Sequence, residues 1–82
     1  MPRVYYYGSL REMTGKKDEE LDVADVKNCL NTVRQLYGKE AYKEAKRSLI
    51  TLNGVSILSI DNFKTKTKPE DEVRFLPICG GG

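Results

Sequence analysis

Histidine and tryptophan are missing from this chain, and cysteine occurs only as Cys29 and Cys79. Without histidine, no side chain has an ordinary charge change near neutral pH, which removes the commonest general acid–base catalyst. The two cysteines lack C-x-x-C spacing, and no cluster of metal-ligand residues accompanies them. A secreted domain of this size would normally carry more, so both read as free thiols in a reducing compartment. No G-x-x-x-x-G-K-[ST] loop is present, the standard means of binding and splitting ATP. No apolar run approaches the ~18 residues a spanning helix needs, and the opening MPRVYYYG lacks the apolar stretch of a signal peptide. The expectation is a cytoplasmic protein with no bound cofactor, no metal and no membrane contact. An independent enzyme is hard to assemble from such an inventory.

What is present fits one small domain. A chain of 82 residues buries only about 60% of the surface its unfolded form exposes. About a third of the residues are charged, with 14 basic against 12 acidic and a net charge of +2. So weak an excess gives no reason to expect a nucleic-acid partner.

RVYYYGSL favours a strand through Val4 and three tyrosines, broken by Gly8 and Ser9. The following LREMTGKK reads as a short connection turning at Gly15. EELDV supplies a second strand and completes an N-terminal hairpin-like pair. Val26, Cys29, Leu30, Val33, Leu36 and Tyr37 then recur at the spacing of one helix face. Asp25 stands at the N-cap position and Gly38 just past the C-terminus. KEAYKEAKR predicts a second, more exposed helical segment, with Glu40–Lys43 and Glu44–Arg47 at i,i+3. SLITLNGVSIL predicts a hairpin about Asn53-Gly54. Phe63 is expected to plug the core, and Lys64, Lys66 and Lys68 to alternate along one face of an extended stretch. After a turn at Pro69-Glu70-Asp71 comes a last strand, with Val73 and Phe75 facing one way and Arg74 and Leu76 the other. Pro77 marks its end. Strands on both sides of a main helix predict an α+β domain: a mixed four- to five-stranded sheet covered by one helix, the β-grasp arrangement. The domain is expected over residues 1–78, with a flexible glycine tail over 79–82.

That tail holds the chemistry. Gly80, Gly81 and Gly82 have no side chains, so the segment is thin enough to thread a narrow channel. It reaches at most ~3.3–3.6 Å per residue beyond the last strand. A carboxylate on Gly82 is a poor acyl donor by itself. Adenylated by a partner, it becomes an electrophile that sulfur or an amine can attack.

YYYGSLREMTG, DVKNCLNTVRQLYG, LITLNG and PEDEVRFLPICGGG, in that order, resemble the MoaD family, the small sulfur-carrying subunits of molybdopterin synthase within the ubiquitin-like β-grasp superfamily. The resemblance covers nearly the whole chain. It implies that an adenylating enzyme of the MoeB type, using ATP, activates Gly82 and that sulfur transfer makes a thiocarboxylate. Gly80 and Gly81 would then thread into a MoaE-like large subunit, which uses the sulfur to build the dithiolene of a molybdenum or tungsten cofactor. No activity is expected of the chain alone. Arg74, Leu76 and Ile78 are candidates for the surface that docks these partners. Two departures stand out. The family's Asp-Gly-Asp-Glu-Val turn is Pro69-Glu70-Asp71-Glu72-Val73 here, and Ile78-Cys79 replaces a second proline and a small residue. Cys79 reads as a free thiol in place of that small residue. Three other readings stay open: a ubiquitin-like modifier joined to lysines through Gly82, a thiazole-pathway carrier of the ThiS type, and a β-grasp adaptor with an inert tail.

Overall fold

The computed structural model describes residues 1–78. Along the chain come β1 (Arg3–Tyr6), α1 (Gly8–Thr14), β2 (Asp18–Glu20), α2 (Val26–Tyr37), α3 (Lys39–Arg47), β3 (Leu49–Leu52) and β4 (Val55–Ser56). Two single 3-10 turns, Ile57–Ser59 and Asn62–Lys64, precede β5 (Glu72–Leu76). The strands form one five-stranded sheet in the order β2-β1-β5-β3-β4. β5 lies parallel to β1 and antiparallel to β3, and β1–β2 and β3–β4 are antiparallel pairs. This is the α+β sheet expected from the sequence, with both hairpins in place.

Alternation sets the faces. Val4, Tyr6, Ile50, Val73 and Phe75 point to the core and are at most 3% exposed. Their neighbours Arg3, Tyr5, Arg74 and Leu76 stay partly exposed on the other face. α2 buries Val26, Cys29, Leu30 and Val33 in the same core, and Asp25 caps it by accepting from the Asn28 amide. Leu36, expected on that face, is 55% exposed; in the last turn it is Tyr37 that packs against the core. α3 buries only Ala41 and Ala45, small residues that let its backbone pack closely. Burial pushes the Cys29 thiol up to about 12, with Glu19's charge adding to the effect, so this cysteine is a core residue and a poor nucleophile.

One polar group is built into the apolar layer. The Tyr6 ring stacks on Phe75 and meets Tyr37 edge-on, each at 6.1 Å. The Tyr6 and Tyr37 hydroxyls both donate to Oε2 of Glu19, Tyr6 at 2.6 Å, while Lys16 Nζ reaches Oε1 at 3.1 Å. A buried tyrosine needs such a partner, and β2 supplies it.

Two local expectations are corrected. LREMTG is a helix, α1, with Leu10 and Thr14 buried one turn apart and Gly15 closing it at φ 73. Gly8 and Ser9 read as breakers because glycine at φ 59 starts the helix instead of ending a strand. Phe63 does not plug the core: it is 38% exposed, and the fully buried residue of that connection is Thr65. Lys64, Lys66 and Lys68 are all exposed while Thr65 is buried and Thr67 partly so, the one-sided alternation expected of that stretch, although Lys64 closes a 3-10 turn.

Candidate functional site

β5 is the strand that leads to the glycines, and it is held on both sides. Arg3–Tyr6 run alongside Glu72–Phe75, and Leu49–Leu52 pair with Val73–Leu76. A central strand with two partners resists fraying, so Leu76 is a firm base for whatever follows. Pro77, which cannot donate a ladder bond, ends the pairing. Cys79, Gly80, Gly81 and Gly82 lie outside the described residues.

The base is braced by the opening motif. A Cβ added at Gly8 would lie 3.5 Å from both Cβ and Cγ of Pro77. Gly8 therefore sits directly against the root of the tail, in a left-handed conformation that glycine adopts freely. Arg11 Nε donates to the Tyr6 carbonyl at 3.0 Å, and its guanidinium lies 5.2 Å from the Tyr7 ring centre. Leu10 is buried. Of the Leu-Arg-Glu segment, leucine anchors α1, arginine seals the end of β1, and Glu12 is exposed.

The turn before β5 is built without a glycine. The Asp71 amide donates to the Lys68 carbonyl at 3.0 Å, which places Pro69 where its fixed φ is favoured. Asp71 is buried and accepts from the Lys68 amide and the Asn53 side chain. Asn53 in turn accepts from the Glu72 amide at 2.9 Å. With Asn53 and Gly54 both at positive φ, the β3–β4 turn has the form its Asn-Gly sequence predicts.

Arg74, Leu76 and Ile78 divide into two settings. Arg74 lies between Tyr5 and Thr51 on the outer sheet face. Its guanidinium stands 4.3 Å from the Tyr5 ring centre and 3.2 Å from Glu72 Oε1. Thr51 is buried on this face, and its hydroxyl has no hydrogen-bond partner. Leu76 pairs with Leu49 on the same face. Ile78 is 66% exposed and turns toward a groove of about 170 Å³ walled by Leu49, Ile57, Leu58 and Phe63. No periodicity in the sequence marks that groove, because much of its wall comes from the 3-10 turns between β4 and β5. Three exposed apolar residues at 58, 60 and 63 were the available signal. Among the described residues, no group of histidine, cysteine and carboxylate side chains could hold a metal ion. None of the described helices is long and apolar enough to cross a membrane.

The ThiS family model matches residues 4–82, almost the whole chain. The chain belongs to the ThiS family. No curated protein matches it in sequence. Among solved structures, small archaeal modifier protein 1 of Methanosarcina acetivorans is similar at TM-score 0.86 and 24% identity, with 99% of this chain and 95% of that one covered. The Amycolatopsis orientalis BexX/CysO complex contains a chain similar at TM-score 0.84 and 21% identity, with full coverage of both. The complex of subunits 1 and 2 of molybdopterin-converting factor from Helicobacter pylori contains another, at TM-score 0.68 and 26% identity, covering 99% and 97%. The ubiquitin-like β-grasp fold and the small-carrier resemblance read from the sequence therefore stand. Two of these similar chains were solved together with a partner subunit.

Proposed function

We propose that this protein is a sulfur carrier of molybdenum or tungsten cofactor synthesis, acting through the carboxylate of Gly82. The observation that carries the reading is that the family match runs to Gly82 itself, on a chain whose preceding strand is fixed from both sides. An adenylating partner binds ATP. The Gly82 carboxylate attacks its α-phosphorus, pyrophosphate leaves, and a sulfur nucleophile then displaces AMP to give a thiocarboxylate. The protein itself supplies no acid, base or metal to these steps. It presents a thin acyl chain, with Gly80 and Gly81 threading the partner, and docks through Arg74, Leu76 and Ile78. In the second half-reaction a large synthase subunit takes the sulfur for the dithiolene.

The likeness to subunit 1 of a molybdopterin-converting factor supports this pathway over a thiazole one. The likeness to a small archaeal modifier supports a second reading, in which a target lysine attacks the same adenylate. Reconstitution tests both. With an activating enzyme, ATP, a sulfur source, the large subunit and the pterin precursor, the full chain should support dithiolene formation and a chain lacking Gly82 should not. Isopeptide adducts with no dithiolene product would favour the modifier reading instead.

A further inference from the structure

A second hollow, of about 300 Å³, opens between α2, α3 and the Asn62–Lys64 turn. Leu30, Tyr42 and Phe63 supply its apolar surface, and Lys27, Lys46 and Lys64 its cationic one. Arg34 and Lys46 approach the Tyr42 ring at 5.4 and 5.8 Å, which adds to the local positive charge. Among the described residues, no carboxylate lines the hollow. Among the described residues, none of these four cations takes part in an ion pair. Lys27 also sits in the first turn of α2, the helix end where a positive charge is least favoured. Three segments distant in sequence thus bring uncompensated charge to one place on a chain whose overall excess is only +2.

This hollow adjoins the groove at the tail root, with Lys46 and Phe63 lining both. The joined surface runs from Ile78 and Leu58, apolar and 66% and 74% exposed, past Phe63 to the lysines. We propose that it docks an amphipathic acidic segment of the enzyme that adenylates the tail. Apolar side chains of that segment lie against Leu58, Phe63 and Ile78, and its carboxylates against Lys27, Lys46 and Lys64. The inference rests on the carrier reading for the identity of the partner. A nucleic acid would find the cations but gain nothing from the apolar half, whereas an acidic amphipathic peptide uses both.

The test measures affinity of a purified activating enzyme for the chain by surface plasmon resonance over a series of salt concentrations. The variants are Lys27→Glu with Lys64→Glu in the hollow, and Lys17→Glu with Lys68→Glu outside it, which change net charge equally. All four lysines are exposed, and circular dichroism checks that both variants fold. The hollow variant should bind roughly tenfold more weakly, through a slower on-rate and a flatter salt dependence, with the control within about twofold of the parent. Leu58→Ser should weaken binding without altering the salt slope. Equal binding by the two charge variants would overturn the proposal. So would tight binding of a single-stranded oligonucleotide that the hollow variant alone loses. Intact mass of the parent chain, after ATP and a sulfur donor are added, judges the carrier reading separately. Normal sulfur loading with indifference to Lys27 and Lys64 sinks the docking surface alone. Salt-sensitive docking through the lysines with no loading sinks the carrier reading alone.

Discussion

Replacing Glu19 by glutamine removes a charge from the core while keeping its shape. The Glu19 side chain is only 12% exposed, and one of its oxygens accepts from the hydroxyls of both Tyr6 and Tyr37. A hydrogen bond to a charged group contributes ~1.5–3 kcal/mol and a neutral one ~0.5–1.5. Making both bonds neutral therefore costs about 2 kcal/mol in all. The Lys16 contact is exposed on the lysine side and adds only a few tenths. For a domain of this size the expected loss corresponds to a fall in Tm of about 10 °C. Glu19→Ala strands the Tyr6 hydroxyl inside the core and should cost about twice as much. The pH dependence has a definite sign. Burial alone would raise the Glu19 carboxyl, but hydrogen bonds from Tyr37, Tyr6 and Lys16 outweigh it and hold the group below its ordinary value. A depressed carboxyl stabilises the fold fully above its unfolded pKa, about 4.3. That contribution disappears as pH falls through the folded value. Urea denaturation followed by circular dichroism should thus show the gap between parent and Glu19→Gln narrowing as pH drops from about 5 toward 2. A variant as stable as the parent at neutral pH, or a gap that does not change with pH, would show that the Glu19 charge does not hold the two tyrosines.

Gly8→Ala meets Pro77 at an ordinary contact distance, so its cost is the left-handed backbone, ~1–2 kcal/mol. Gly15→Ala, at φ 73 with nothing nearby, should cost the same in thermal denaturation; a much larger loss at Gly8 would mean that Pro77 cannot give way. Thr51→Val removes a buried hydroxyl that has no partner and should stabilise by about 1 kcal/mol, whereas a lower urea midpoint would show that the hydroxyl is satisfied. Ile78→Asp should leave stability within about 0.5 kcal/mol of the parent, as an exposed site does, yet weaken binding to the activating enzyme; unchanged affinity would remove Ile78 from the docking surface.

Long-range regularities were the legible part of the sequence. The alternation through Val73, Arg74, Phe75 and Leu76 assigns each residue its face, and the structure agrees residue by residue. The Asn53-Gly54 turn and the Asp25 cap are local chemistry with one favoured outcome. α1 is not legible because seven residues are too few for a period to show and because glycine at its start resembles a break. The 57–64 segment is hard to read because its 3-10 turns carry no periodicity. There Thr65 is buried and Phe63 is left on the surface, the reverse of what hydrophobicity alone predicts. Both docking hollows depend on that segment, so no single stretch of sequence contained them. The glycines were conspicuous from the start, but what they carry is a matter of chemistry with a partner.

The decisive measurement is the intact mass of the protein after incubation with an activating enzyme, ATP and a sulfur source. A sulfur carrier should gain the mass of one oxygen exchanged for one sulfur, and lose that gain when Gly82 is removed. No gain with an enzyme shown to be active would contradict the carrier reading.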